Sequence, residues 1–321
     1  MRLLVTGGAG FIGSNYVRWV LRERTDVELT NYDLLTYAGN LENLRDIEEG
    51  NRYRFVKGDI CDSALLDEVL PGHDAIVNFA AESHVDRSID WAAEFVRTNM
   101  LGTNALLEAA RRHGTPRYLQ VSTDETYGSI DVGSFQEEDR LDPSSPYSAS
   151  KAGGDMLVRA YHRTYGLPVL ITRGSNTYGP YQYPEKVIPL FVTNLLEDKP
   201  VPLYGDGLNV RDWIHVEDHA AGIHAVLENG EFGQIYNVAG GNELTNIELT
   251  KRICDLLGKP HSLITPVTDR PGHDRRYSVD TTRARALGWE PRWDLDDGLI
   301  ATVEWYRENR WWWEPIRARQ G

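Results

Sequence analysis

Apolar runs of strand length alternate with stretches of helical period through the first half of the chain. RLLVTG, VELTNYD, YRFVKGDI, AIVNFAA, RYLQVST and PVLITRGSNTYG read as strands. Between them the spacing of apolar positions predicts helices near 11–23, 63–70, 91–113 and 146–165. Strands separated by helices imply right-handed crossovers and therefore a parallel sheet, here of at least six strands, in a doubly wound α/β fold. Beyond about residue 180 the rhythm breaks. Pro and Gly become frequent, and short segments such as VPLYGDG, RDWIHVEDH and GQIYNVAG stand among helical patterns. The reading is a first lobe over 1–180 and a smaller mixed α/β lobe over 181–321, with 208–228, a strand and helix, returning to the first. The aromatic tail EWYRENRWWWEP predicts an amphipathic last helix pinned by its Trp side chains.

Composition narrows the class. The 321 residues are 41% hydrophobic, enough for a sizeable core. Acidic residues outnumber basic ones by 48 to 34, a net charge of −14, which argues against nucleic acid or an anionic membrane as partner. An anionic ligand must then meet a local basic cluster. Cys61 and Cys254, far apart, support neither a disulfide framework nor a zinc site, and both read as core residues of a protein in a reducing compartment. The opening apolar stretch is too brief for a signal peptide, and no run approaches the roughly 20 residues that span a bilayer. A soluble, cytoplasmic protein is expected, with no metal.

The first predicted strand runs into GGAGFIG, which satisfies G-x-G-x-x-G through Gly8, Gly10 and Gly13, and G-x-x-G-x-x-G through Gly7, Gly10 and Gly13. Glycines there allow a tight turn, bring backbone N–H groups to a pyrophosphate and let the helix pack on the strand. Asp33 closes the second strand, placed to accept hydrogen bonds from an adenosine ribose and to repel a 2′-phosphate. This is the Rossmann-type arrangement, and it predicts NAD rather than NADP. Asp59 closes the third strand in KGDI, where a carboxylate can meet an adenine edge or cap the next helix.

YSASK places Tyr147 and Lys151 four residues apart at a helix start, on one face. A nearby ammonium lowers a phenol's pKa and so makes a base for an alcohol proton while hydride leaves for nicotinamide. STDETYG, residues 122–128, sets Asp124 beside Glu125 where a strand ends. On a regular strand the two would face opposite sides of the sheet, so the chain must turn there if they act together. Their repulsion, with burial, would raise one pKa enough to hold a proton near neutrality.

Taken in order, VTGGAGFIGSN, NYDLLTYAGNLENL, FAAESHVDRSI, TNMLGTNALLEAA, VSTDETYG, SPYSASKAGGD, NTYGPYQYPEKVIPLFV and RPGHDRRYS resemble, over essentially the whole chain, the extended short-chain dehydrogenases/reductases, and among them the dTDP-glucose 4,6-dehydratases. The resemblance implies a lyase that oxidises a nucleotide sugar at C4, eliminates water across C5 and C6, and returns hydride to C6, with NAD tightly bound and regenerated each turnover. It implies Glu125 as the base at C5, Asp124 as the acid at C6, and Thr123 and Tyr147, with Lys151, at the C4 hydroxyl. It implies cofactor contacts at Gly7, Gly10, Phe11, Ile12, Gly13, Asp33, Thr36, Asp59, Ile60, Ala81, Ser83, Asn99, Tyr147 and Lys151. Sugar-nucleotide contacts are implied at Ser83, Thr123, Glu125, Asn176, Lys186, Pro202, Tyr204, Arg211, Asn246, Arg270 and His273. Arg211 stands out among the cations because VRDWIHV is otherwise apolar. His84, Asp86 and Arg87 read as a hydrogen-bonded wall, not as bases. A homodimer through a four-helix interface, built from the helices around 91–113 and 146–165, is implied as well.

Two positions depart from the family pattern. Thr177 stands where the family reads a second Asn before Tyr-Gly-Pro, which removes an amide near the cofactor, and Thr126 stands where Val is usual. Two other readings share the glycine loop: a nucleotide-sugar C4-epimerase, which has no need of the acid pair, and a non-catalytic NAD-binding regulator, which has no need of Thr123, Tyr147 and Lys151.

Overall fold

The computed structural model describes residues 1–47, 50 and 52–319; residues 320 and 321 of the expected second lobe lie outside them. The chain opens with β1 (Arg2–Thr6), α1 (Phe11–Glu23), β2 (Glu28–Asp33), β3 (Tyr53–Lys57), α2 (Ser63–Val69) and β4 (Ala75–Asn78). Helices α3 (Val85–Asp90) and α4 (Ala92–Val96) lead through a π-helical turn at Arg97–Gly102 into α5 (Thr103–His113). Then come β5 (Tyr118–Thr123), α6 (Pro146–Tyr165) and β6 (Val169–Gly174). The second half holds β7 (Asn176–Tyr178), α7 (Val187–Leu196), β8 (Val201–Tyr204), β9 (Val210–His215), α8 (Val216–Asn229) and β10 (Ile235–Val238). It ends with β11 (Glu243–Thr245), α9 (Asn246–Leu256), β12 (Ile264–Val267), α10 (Thr282–Arg285), α11 (Leu295–Glu308) and α12 (Arg310–Ala318).

Seven strands form one parallel sheet in the order β10-β6-β5-β4-β1-β2-β3. Its pleat sorts neighbouring residues to opposite faces. Leu3, Val5, Val77, Leu119 and Leu170 join one core with α1 and α8, while Leu4, Ile76, Tyr118, Val169 and Ile171 join another with α2, α5 and α6. Strands covered on both faces must be apolar throughout, and each fully buried Leu or Val contributes roughly 1.5–3 kcal/mol. A third core lies among α7, α9, α11 and α12. The fold is the doubly wound α/β sheet with smaller added sheets that the strand and helix pattern predicts.

Helix α6 begins where its sequence directs. Ser145 and Ser148 cap each other reciprocally, Pro146 occupies the first turn, and Gly166 closes the far end in the left-handed region. The expected single helix over 91–113 is instead divided. The π-helical turn widens the backbone where Asn99 turns its amide inward, and Gly102 lets the segment press on Ile60, to which a Cβ would come within 2.4 Å.

Two strand assignments also change. PVLITRGSNTYG is not one strand: it breaks at Ser175 into β6, in the main sheet, and β7, which pairs with β9 in a separate three-stranded sheet with β11. GQIYNVAG, read as part of the smaller lobe, supplies β10 at the edge of the main sheet, beside β6. Helix α8 packs on α1. Cys254 is buried but Cys61 is only partly covered, so it is not the core residue expected. In α12, Trp312 and Trp313 are buried and Trp311 faces outward. Among the described residues no helix is long and apolar enough to cross a membrane.

Candidate active site

Parallel strands bring their C-terminal ends to one edge, and there the ends of β1, β2, β4, β5 and β6 open onto a long cavity. At one end lies the glycine loop. Gly7 has φ +71°, and a Cβ on it would meet the Ala80 backbone at 2.5 Å. A Cβ on Gly13 would come within 2.2 Å of the Gly7 carbonyl, so only glycine lets α1 start this close to β1. Gly10 caps α1 without a side chain, which leaves the first-turn N–H groups and the positive end of the helix dipole for an anion.

Asp33 is held beside this loop by Ala9 N–H at 2.9 Å and Leu35 N–H at 2.8 Å, with lone pairs to spare for hydroxyl donors. Burial pushes its carboxyl up. Asp59 accepts from Cys61 N–H and pairs with Arg97. Phe11, Ile12, Thr36, Ile60, Ala81, Ser83, Tyr147 and Lys151 also line the cavity. Asn99 does not. It is buried behind the wall, its Oδ1 accepting from Glu82 N–H and its Nδ2 donating to the Glu82 carbonyl and to Ser150 Oγ. Its place is to set the Glu82–Ser83 segment.

At the other end β5 stops at Thr123 and the chain makes one 3₁₀ turn, Asp124–Tyr127. Thr123 Oγ1 accepts from Glu125 N–H at 3.2 Å and donates to Asp124 Oδ1 at 3.3 Å. This turn brings both acids to the cavity, which they could not share on a continuing strand. Thr126, the departure from Val, donates to the Thr123 carbonyl at 2.8 Å and so tightens the turn without entering the cavity lining.

The two acids sit in unlike fields. Burial, then the charges of Glu125 and Asp212, hold the Asp124 carboxyl well above the ordinary range. Burial also raises Glu125, but Arg270, Arg211 and Lys186 all oppose that rise. Asp124 Oδ2 has no hydrogen-bond partner among the described residues. Burial thus raises both acids, reinforced at Asp124 by like charges and opposed at Glu125 by three cations.

Tyr147 and Lys151 lie one turn apart on α6, as the spacing predicts. The lysine Nζ reaches across to the Val121 carbonyl on β5 at 2.7 Å, and burial pushes its pKa down to about 8. The Tyr147 phenol is pushed up, by burial first and then by Glu125, against a hydrogen bond with Thr123 that lowers it.

The basic residues of the second half make a wall beside Glu125. Lys186 and Asn176 line the cavity, with Lys186 Nζ donating to the Ser83 carbonyl at 2.8 Å. Arg211 is buried over the Tyr277 ring and donates to the Asp274 carbonyl at 2.9 Å. Arg270 pairs with Asp86 at 3.3 Å, and His273 with Asp269 at 2.6 Å. His84 caps α3, and Arg87 joins Glu185 at 3.1 Å while lying over the Tyr37 ring. Tyr204 on β8 faces the His273 ring edge-on. Pro202 lies on the same strand, and Asn246 begins α9 with its N–H on the Asn209 carbonyl. Pro202, Tyr204, Arg211, Asn246, Arg270 and His273 stand outside the cavity lining.

Other lining residues carry no sequence signal. Trp312, assigned only packing from its sequence, lines the cavity and donates to Asn43 Oδ1 at 2.8 Å; Asn43 in turn donates to the Ala9 carbonyl and steadies the glycine loop. Ser122, Ser175, Gln182 and His219 also line it, each with a buried polar atom unpartnered among the described residues, as is Asn176 Oδ1. Orphaned polar atoms gathered on one cavity are costly unless a polar ligand fills it, and with the glycine cradle they fit a dinucleotide.

Residues 4–302 match the model of the GDP-mannose 4,6 dehydratase family. A dTDP-glucose 4,6-dehydratase of Streptomyces niveus is 55% identical over 323 residues, covering 99% of this chain and 96% of that protein. Among solved structures, DesIV, a dTDP-glucose 4,6-dehydratase from Streptomyces venezuelae crystallised with NAD bound, is 57% identical with a TM-score of 0.96, covering 98% of this chain and 100% of that one. The Bacillus anthracis dTDP-glucose 4,6-dehydratase in complex with NAD is 50% identical with a TM-score of 0.93, covering 98% and 99%.

Proposed function

The chain belongs to the GDP-mannose 4,6 dehydratase family and falls among its dTDP-glucose 4,6-dehydratases, and from this premise we propose that it converts dTDP-glucose to dTDP-4-keto-6-deoxyglucose and water. It is a hydro-lyase, and its cofactor is NAD. The observation that carries the reading is the turn after Thr123, which sets two carboxyls in unlike electrostatic surroundings on one cavity beside Tyr147. A C4-epimerase has no use for such a pair.

NAD, when bound, would supply the hydride acceptor for C4 of the hexose and the hydride donor for C6. Gly7, Gly10 and Gly13 would admit its pyrophosphate and Asp33 its adenosine ribose, with Tyr147 and Lys151 at the nicotinamide end. Tyr147, through its contact with Thr123, takes the C4 hydroxyl proton as the C4 ketone forms. The ketone acidifies the C5 hydrogen, and Glu125, whose rise on burial Arg270, Arg211 and Lys186 oppose, removes it as the carboxylate. Asp124, kept protonated by burial and by Glu125, gives its proton to the departing C6 hydroxyl, which leaves as water. Glu125 then returns its proton to C5, and the proton that Tyr147 took from the C4 hydroxyl passes through the site to Asp124, which resets both groups. The cationic wall of Lys186, Arg211 and Arg270, with His273 and Asn176, serves the diphosphate as well as Glu125, with Ser83 on the sugar side, Pro202 and Tyr204 near the base, and Asn246 also in contact.

The test is product analysis with dTDP-glucose and no added NAD. A 4-keto-6-deoxy sugar is expected; a galactose isomer would mean epimerase, and unchanged substrate would mean a silent binder.

The active form is a homodimer. Trp91, Val96, Leu101 and Met156 are exposed apolar residues at the start of α4, on α4, on the π-helical turn and on α6, within the 91–113 and 146–165 helices that the family resemblance puts between subunits. Leu101, 61% exposed, is an unfavourable residue to leave in water. Light scattering of the wild type should give twice the monomer mass, and Leu101→Glu with Trp91→Glu should halve it; a monomeric wild type would end this reading. Cytoplasmic residence accords with two unpaired cysteines and a nucleotide-sugar substrate, and fractionation of expressing cells checks it.

A further inference from the structure

His219, on α8, is buried and belongs to no part of the mechanism above. Its ring lies against the end of β6, where a Cβ on Gly174 would sit 2.5 Å from both Cε1 and Nε2. Gly174 is the register partner of Thr123 across β5 and β6, so this edge of the imidazole stands next to the reacting end of the cavity.

The hydrogen bonds around Thr177 select the tautomer. Thr177 Oγ1 lies 3.2 Å from the Ser175 carbonyl and 2.8 Å from His219 Nδ1. The hydroxyl has one proton, and a carbonyl can only accept, so both contacts are satisfied only if the hydroxyl donates to Ser175 and accepts from Nδ1–H. The proton on Nδ1 leaves Nε2 as a bare lone pair, and Nε2 has no partner among the described residues. Burial lowers the His219 pKa to about 4, so the ring is neutral at physiological pH.

We infer that His219 Nε2 accepts a hydrogen bond from the carboxamide NH₂ of the bound nicotinamide, and that Thr177 is the positioning residue that makes this nitrogen an acceptor. The carboxamide NH₂ is the one donor that a nicotinamide headgroup carries, and a buried acceptor beside the reacting centre requires one. The pair orients the ring face presented to the sugar. This rests on the NAD reading of the same cavity.

The analogue 3-acetylpyridine adenine dinucleotide replaces that NH₂ by a methyl group and leaves the rest of the dinucleotide in place. The full-length protein as purified is equilibrated with an equimolar excess of NAD and the analogue, and the nucleotides retained after gel filtration are quantified. The wild type should retain NAD over the analogue by roughly three- to tenfold. His219→Phe, which keeps the ring's bulk over Gly174, should bring the ratio to about one, and so should Thr177→Val, which removes the acceptor for Nδ1–H. His219→Gln, whose amide oxygen accepts, should restore part of the preference. An unchanged ratio in a folded His219→Phe would overturn the inference. Failure of the wild type to retain either nucleotide would instead strike the NAD reading.

Discussion

Glu125→Gln is expected to accept dTDP-glucose, oxidise it at C4 and then stall. Adding substrate should produce the near-ultraviolet absorbance of reduced nicotinamide on the protein, and that absorbance should persist, while net turnover falls by on the order of 100-fold or more. The substitution keeps side-chain volume and removes one charge. The first step does not need that charge. Indeed, the Glu125 carboxylate is one of the groups that pushes the Tyr147 phenol up, so its removal eases proton loss there. The second step does need it, because an amide cannot take the C5 proton. Full turnover by the variant would remove Glu125 from the mechanism, and absence of the absorbance would move it to the first step.

Tyr147→Phe should block earlier. Without the phenol oxygen the site loses its base for the C4 proton, and kcat is expected to fall by about 10³ with no reduced nicotinamide detected at any time. The ring itself is retained, including its edge contact with Phe95, so the fold should persist, as a thermal melt would report. The two variants make an ordering test. Combining them should give the Tyr147→Phe phenotype, since a stall at elimination requires prior oxidation; a double variant that still accumulates the absorbance would show that another group removes the C4 proton.

Much of this site could be read from local pattern. The glycine loop, Asp33 at the end of β2 and the Tyr147/Lys151 spacing each depend on residues close in sequence, whose mutual placement is dictated by one turn or one helix period. The turn at Asp124 was legible for the same reason: two acids on one cavity contradict strand geometry, and the chain resolves this by capping a 3₁₀ turn with Thr123.

What escaped the sequence lies across the fold. Lys151 was read against the phenol, and its ammonium also donates to the Val121 carbonyl, a partner 30 residues away. Asn99 matched a cofactor position, yet a π-helical turn swings its amide onto Glu82 and Ser150. Trp312 read as a packing residue and stands instead in the cavity lining, 269 residues beyond the Asn43 to which it donates.

By itself, then, the order of apolar and polar residues determined the alternation of strands and helices, the parallel sheet they imply, and the loop and turn that carry the chemistry. Each of these follows from periodicity and backbone geometry over a few residues. Only the tertiary structure decided which sheet received β7 and β10, which of the paired acids faces the cations, and which tautomer His219 presents. Those outcomes depend on which distant groups are excluded from water together, and no short-range pattern encodes that.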